Sequence, residues 1–146
     1  MFDRVLVVCV GNVCRSPLAQ SLLQLRLPTK KVTSAGIAAL VGEDVDSSIR
    51  TVALAHGIDL PQHVARQLTQ EQCREADLIL VMENFQKEVV TQLSPESRGK
   101  VFLLGKLVND TEITDPYRRS REVVEEVYER IVQATDSWAK KLGAAN

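Results

Sequence analysis

Apolar and polar positions fall into segments along this chain whose period switches repeatedly between strand-like and helix-like. Val5-Leu6-Val7-Val8 is a continuous apolar run, which predicts a strand buried on both faces. Leu18-Ala19-Gln20-Ser21-Leu22-Leu23 follows at helical spacing, and a first helix is expected at about residues 16–26. Pro28-Thr29 ends it, and Lys31-Val32-Thr33-Ser34-Ala35 reads as a second strand closing at Gly36. A loop from Ile37 to Val45 leads to Asp46, which can cap a helix that carries Ile49, Val52 and Ala53 inward and stops at Gly57. His56, in the last turn, suits the helix dipole and is read as a capping residue rather than a catalytic one.

Thr69-Gln70-Glu71-Gln72 has the form of a capping box and opens a short helix, on which Cys73 reads as a small buried hydrophobe. Leu78-Ile79-Leu80-Val81-Met82 is the third strand, bounded by Asp77 and Glu83. Phe85, Val89 and Leu93 share one helical face before Ser94-Pro95, and Val101-Phe102-Leu103-Leu104 is the fourth strand. A final helix at about residues 120–142 buries Val124, Val127, Ile131, Ala134, Trp138 and Leu142. Its Glu122, Glu125, Glu126, Glu129 and Arg130 face water. The alternation predicts an α/β fold: a parallel sheet of four strands, covered by helices on both faces and joined by right-handed crossovers. Ligand sites in such sheets lie beyond the carboxyl ends of the strands. Cys9 stands at one such end, and segments 34–36, 82–84 and 104–115 leave their strands on the same side.

Composition narrows the picture. A chain of 146 residues, 45% apolar and 25% charged, fits one globular domain spanning 1–146. A formal net charge of −1 points to neither nucleic acid nor an anionic membrane as partner. No apolar run reaches membrane-spanning length and no signal-peptide layout opens the chain, so stable membrane insertion is not expected. The odd count of three cysteines suits a reducing compartment, and a cytoplasmic protein is expected.

The densest chemistry is Cys9-Val10-Gly11-Asn12-Val13-Cys14-Arg15-Ser16-Pro17, between the first strand and the first helix. Ser16 and Pro17 read as N-cap and first helical residue. A helix N-terminus presents unpaired N–H groups and partial positive charge to an anion. Gly11 is expected to let the loop fold into a nest of inward-facing amides. Cys9 lies at one end of this nest and Arg15 at the other. The combination reads as a phosphate pocket with a nucleophile at its floor. A thiol attacks as thiolate, and Arg15 offers a planar fork matched to two phosphate oxygens. Ser16 can donate its hydroxyl to the sulfur, and Asn12 can hold the loop by side-chain bonds to backbone. A nucleotide-binding P-loop would need GxxxxGK[ST], and this loop has no Lys.

Asp115-Pro116-Tyr117 lies in a segment that can reach this pocket. Asp115 is a candidate proton donor, expected near the phosphate but unpaired with Arg15; the other reading makes Asp115 and Pro116 a helix cap and first-turn proline. Ser120, with Glu122 in the first turn, offers an alternative cap. Tyr117 is either an apolar wall for an aromatic substrate or packing under the loop. Arg118, Arg119 and Arg121 oppose the helix dipole, and either attract an anionic substrate or form a solvated basic cluster.

Val8 to Pro17, Ser34-Ala35-Gly36, Ala65-Arg66-Gln67-Leu68 and Asp115-Pro116-Tyr117 together resemble the low-molecular-weight protein tyrosine phosphatases, over nearly the whole chain. The resemblance implies a three-layer α/β fold with strand order 2-1-3-4. It makes Cys9 the nucleophile, Arg15 the phosphate clamp and Asp115 the general acid, with Asn12, Ser16 and Ser34 supporting the loop. Val10, Gly11, Asn12, Val13, Cys14 and Ser16 would meet the phosphate, with Leu40 and Tyr117 beside the substrate. No cofactor or metal is implied. The chain is closer still to the bacterial branch that pairs with tyrosine autokinases of capsule and exopolysaccharide export. A phosphotyrosine protein, an autokinase of that kind, is thus the implied partner. Eukaryotic members carry an aromatic wall where this chain has Leu40, and a second tyrosine where it has Arg118. Cys14 either traps oxidised Cys9 as a disulfide or is a packed thiol. An arsenate reductase would need further cysteines after the third strand, and residues 83–146 contain none. A non-catalytic phosphotyrosine-binding module would be expected to lack the nucleophile or the acid.

Overall fold

A computed structural model describes residues 2–143. The elements run β1 (Arg4–Cys9), α1 (Arg15–Arg26), β2 (Lys31–Gly36), α2 (Ser47–Ala55), α3 (Gln70–Glu75), β3 (Leu78–Val81) and α4 (Asn84–Leu93), then β4 (Val101–Leu103) and α5 (Arg121–Lys141). A 3-10 turn, Pro95–Lys100, leads into β4. The four strands form one parallel sheet in the order β2-β1-β3-β4, as the resemblance implied.

The apolar runs have no polar face because both sides of the sheet are covered. Successive side chains of a strand point to opposite faces. Val5, Val7 and Cys9 therefore pack with Leu18, Leu23, Ile49, Val52, Val127 and Ile131, under α1, α2 and α5. Leu6, Val8, Ile79 and Val81 pack with Cys73, Ala76 and Val90, under α3 and α4. Cys9 thus shares the face on which α1 begins.

Several caps follow the sequence closely. Asp46 accepts a hydrogen bond from Ser48 N–H, and Thr69 and Gln72 complete a capping box on α3. Ser120 caps α5, so Asp115 is not the cap of that helix. His56 is the C-cap residue of α2, and its ring also stacks on Tyr128 at 4.4 Å with Nε2 3.1 Å from Glu125 Oε2, joining α2 to α5. Trp138 is buried in the α5 core, and its indole N–H donates to Leu104 C=O at 2.8 Å. Among the described residues, no helix is long and apolar enough to cross a membrane.

The start of α1 needs correction. Helix α1 starts at Arg15 with Cys14 as N-cap, which makes no side-chain cap; Ser16 sits inside the first turn with its hydroxyl turned to Cys9. The face of Phe85, Val89 and Leu93 points to solvent, Phe85 being 49% exposed. The face of α4 that meets the sheet carries Gln86 and Val90 instead. Gln86 can be buried because its Oε1 accepts from the N–H groups of Met82 and Glu83, at 2.8 and 3.3 Å.

Register sets the site. Cys9 pairs with Gly36 at the shared end of β1 and β2, and the chain after Gly36 then runs beside the loop after Cys9. Ile37, Ala38 and Leu40 donate to the carbonyls of Cys9, Val10 and Gly11, each at 3.0 Å. Gly36 is sterically required: a Cβ there would lie 2.4 Å from Val10 O. The Gly36→Ala variant should therefore lose about 1–3 kcal/mol of stability, read as a lower urea midpoint at unchanged m-value. A parent-like midpoint would mean that the β1–β2 junction yields freely.

Candidate active site

The loop between β1 and α1 is built around Asn12, which is fully buried at φ +58. Gly11 is not among the positive-φ residues, and a Cβ there would meet Leu40 at an ordinary 3.7 Å. The left-handed turn expected of the glycine is thus taken by asparagine, one of the few other residues that tolerate it. The Asn12 carboxamide is fully engaged. Its Nδ2 donates to Ser16 Oγ at 2.8 Å and Ser34 Oγ at 3.0 Å, and its Oδ1 accepts from Arg66 N–H at 3.0 Å. Ser34 in turn donates to Gln20 Oε1 at 2.6 Å. Since Ser16 Oγ already accepts from Asn12, its own hydrogen is free for Cys9 Sγ, 2.9 Å away. Asn12 N–H also points at that sulfur, at 3.3 Å. Two donors therefore converge on Cys9 Sγ. The N–H groups of Gly11, Val13 and Cys14 find no acceptor among the described residues, as a nest for an anion requires.

Arg15 is only 1% exposed, yet it is fully charged and therefore needs partners. Its Nη1 donates to Glu83 Oε1 at 2.5 Å and to Ile113 C=O at 2.8 Å. These bonds tie α1 to the exit of β3 and to the segment after β4. They leave Nη2 on the side of Asp115, and Arg15 lines the pocket. Asp115, whose side chain is 47% exposed, has Oδ2 3.7 Å from Arg15 Nη2. This is ion-pair range, closer than the expectation of an unpaired acid, though longer than a hydrogen bond. Asp115 Oδ1 accepts from Tyr117 N–H at 3.0 Å, which sets the direction of the carboxyl group.

A pocket of about 140 Å³ is lined by Cys9, Val10, Gly11, Val13, Cys14, Arg15, Ala38, Leu40, Asp115 and Tyr117. Asn12, Ser16 and Ser34 lie behind its wall, buried. A sulfur with two donors, a guanidinium and a carboxyl group thus face one small cavity at a helix N-terminus. That set can hold a tetrahedral anion against a nucleophile and move a proton beside it. The low molecular weight phosphotyrosine protein phosphatase family matches residues 4–146.

The chain belongs to that family. The low molecular weight protein-tyrosine-phosphatase Wzb of Escherichia coli (strain K12) is 48% identical over 144 residues, covering 99% of this chain and 98% of Wzb. The crystal structure of the Erwinia amylovora tyrosine phosphatase AmsI superposes with TM-score 0.95 at 45% identity, covering 98% of this chain and 95% of AmsI. That of the tyrosine phosphatase Wzb from Escherichia coli K30, in complex with sulphate, does so with TM-score 0.95 at 45% identity, covering 98% and 100%. The protein is a low molecular weight protein-tyrosine phosphatase similar to Wzb and AmsI.

Several residues of this phosphatase site carry no obvious sequence signal. His63 Nε2 lies 2.8 Å from Asn12 C=O; since a carbonyl only accepts, this nitrogen carries the hydrogen. Arg66 Nε donates to Ser34 C=O at 2.8 Å. Glu83 lies in segment 82–84, expected on the side of the pocket, but its pairing with Arg15 has no signal in the sequence. Burial pushes the Cys14 thiol far up, and the negative charge of Asp46 adds to this. Burial also raises the Cys73 thiol, on the opposite side of the sheet. All three are free thiols. Iodoacetamide at pH 7 should therefore label Cys9 and spare Cys14 and Cys73, as read by peptide mass spectrometry, and inorganic phosphate should slow that labelling. Equal labelling of Cys9 and Cys14 would contradict the assignment of the two donors to one sulfur.

Proposed function

We propose that this phosphatase hydrolyses phosphotyrosine through a phosphocysteine intermediate, with Cys9 as nucleophile, Arg15 as phosphate clamp and Asp115 as general acid. The observation that carries this reading is the single pocket shared by Cys9, Arg15 and Asp115, with Asn12 N–H and Ser16 Oγ aimed at the sulfur. Those donors hold negative charge on Cys9 Sγ before attack and as the sulfur departs. The amides of the loop from Val10 to Cys14, with Arg15 Nη2 and Nε, hold the equatorial oxygens as charge spreads over them. Sulfur attacks phosphorus in line, the bond from phosphorus to the phenolic oxygen breaks, and Asp115 gives that oxygen a proton. Asp115, now a carboxylate, takes a proton from the water that attacks the phosphocysteine. The P–S bond then breaks, and inorganic phosphate leaves with the thiolate restored. Asp115 lies near Arg15. A dianionic ester entering between them draws the guanidinium to itself and frees the carboxyl group to face the leaving oxygen.

Leu40 and Tyr117 form apolar walls beside the sulfur, which suits a flat aromatic ester. A phenol, with a pKa near 10, leaves more readily than an alkanol and needs only one carboxylic acid behind it. The likeness to Wzb and AmsI, and an aliphatic Leu40 rather than an aromatic wall, support a bacterial tyrosine autokinase of capsule or exopolysaccharide export as the phosphoprotein. Free thiols suit the reducing cytoplasm, where such a substrate would be met.

Turnover of p-nitrophenyl phosphate should persist in excess EDTA and disappear in Cys9→Ser with phosphate binding retained. Undiminished turnover by Cys9→Ser would remove the phosphocysteine from the mechanism. Asp115→Asn should lower kcat on phenyl phosphate by about 10²- to 10⁴-fold. The loss should be smaller on p-nitrophenyl phosphate, whose leaving group needs little protonation; equal losses on both would assign Asp115 another role.

A further inference from the structure

The turn that carries Asp115 has a second feature, unused by the reaction above. Arg119 N–H donates to Pro116 C=O at 3.0 Å, which closes a turn over Tyr117 and Arg118. Arg118 occupies the third position of that turn at φ +57. Glycine or asparagine is favoured at a positive φ there, so the arginine carries a backbone cost. Its guanidinium carbon lies 5.2 Å from the centre of the Tyr117 ring, in cation–π range. Tyr117 lines the pocket, so this contact fixes a positive charge at the pocket rim. Arg118 and Arg119 are exposed, and neither forms an ion pair among the described residues. Arg121, the first residue of α5, pairs only with Glu125, at 3.4 Å. Three like charges therefore gather where the helix dipole is already positive. A positive-φ arginine thus stands beside a pocket residue, next in sequence to two further cations.

We propose that Arg118, assisted by Arg119, forms an anion subsite for a carboxylate on residues flanking the phosphotyrosine of a peptide substrate. The proposal rests on the phosphotyrosine reading above and adds which phosphotyrosines are preferred. The pocket, at about 140 Å³, takes the phosphoryl group and little of the chain beyond the ring, so the flanking residues cross the rim. There Arg118, held by Tyr117, presents an exposed cation to an acidic flank.

The test compares two phosphotyrosine peptides that differ only in carrying glutamate or alanine beside the phosphotyrosine, with p-nitrophenyl phosphate as a substrate that has no flanks. The parent protein should favour the glutamate peptide about three- to fivefold in kcat/KM at low salt, through KM, and less at high salt, as one exposed charge pair allows. Arg118→Gly, which suits the turn, should abolish the preference while changing p-nitrophenyl phosphate turnover less than twofold. Arg118→Lys should keep part of the preference, and Arg118→Glu should reverse it. If Arg118→Gly slows all three substrates alike, the residue only shapes the turn and the subsite is refuted. Equal use of both peptides by the parent protein refutes the subsite alone, whereas hydrolysis of neither peptide refutes the phosphotyrosine reading and the subsite with it.

Discussion

The charge of Arg15 is the constraint on which the site depends. An unpaired guanidinium at 1% exposure would be ruinous to a fold stable by some 5–15 kcal/mol. Its partners explain how distant parts of the chain are brought together. Glu83 comes from the exit of β3, Ile113 C=O from the segment after β4, and Arg15 itself opens α1. Ile113 N–H donates to Met82 C=O at 2.9 Å, so both partners share one backbone seam. Removing Glu83 would leave a buried charge rather than a missing contact, which is the costlier defect. The same two bonds use only Nη1, and Nη2 lies on the side of Asp115.

Asn12 plays the corresponding part for the sulfur. Its left-handed backbone costs something locally, and the network from Gln20 through Ser34, Asn12 and Ser16 to Cys9 repays it. No buried side-chain nitrogen or oxygen among the described residues lacks a partner. A network satisfied to this degree does not rearrange when an anion arrives, so the loop amides need no reorganisation at the moment of reaction. The sheet register completes the arrangement, because the Cys9–Gly36 pair lets segment 37–40 lie along the loop and set Leu40 at the pocket wall.

Much of this is legible in the amino-acid sequence. The continuous runs at Val5–Val8 and Leu78–Met82 have no polar face, which only a sheet covered on both sides explains. Cys9 through Pro17 combines a strand end, a thiol, a guanidinium and a helix start within one loop. Less visible were roles that depend on which partner a residue meets. Ser16 before Pro17 has the composition of a cap, yet its hydroxyl serves Cys9 because the helix starts two residues before Pro17. Gly11 looked like the flexible position, but the carboxamide of Asn12 can be anchored on three sides while its backbone turns left-handed. The spacing of Phe85, Val89 and Leu93 identifies a helical face without saying which way it points. Gln86 took the inward position because backbone amides at the strand exit satisfy its carboxamide. Glu83 and His63 act over 68 and 51 residues of separation, beyond any local pattern.

The indole of Trp138 has a practical consequence. It is the chain's single tryptophan, and its N–H grips Leu104 C=O at the root of the segment that bears Ile113 and Asp115. Native tryptophan fluorescence thus reports on a single position, bonded to the start of the segment that carries Asp115.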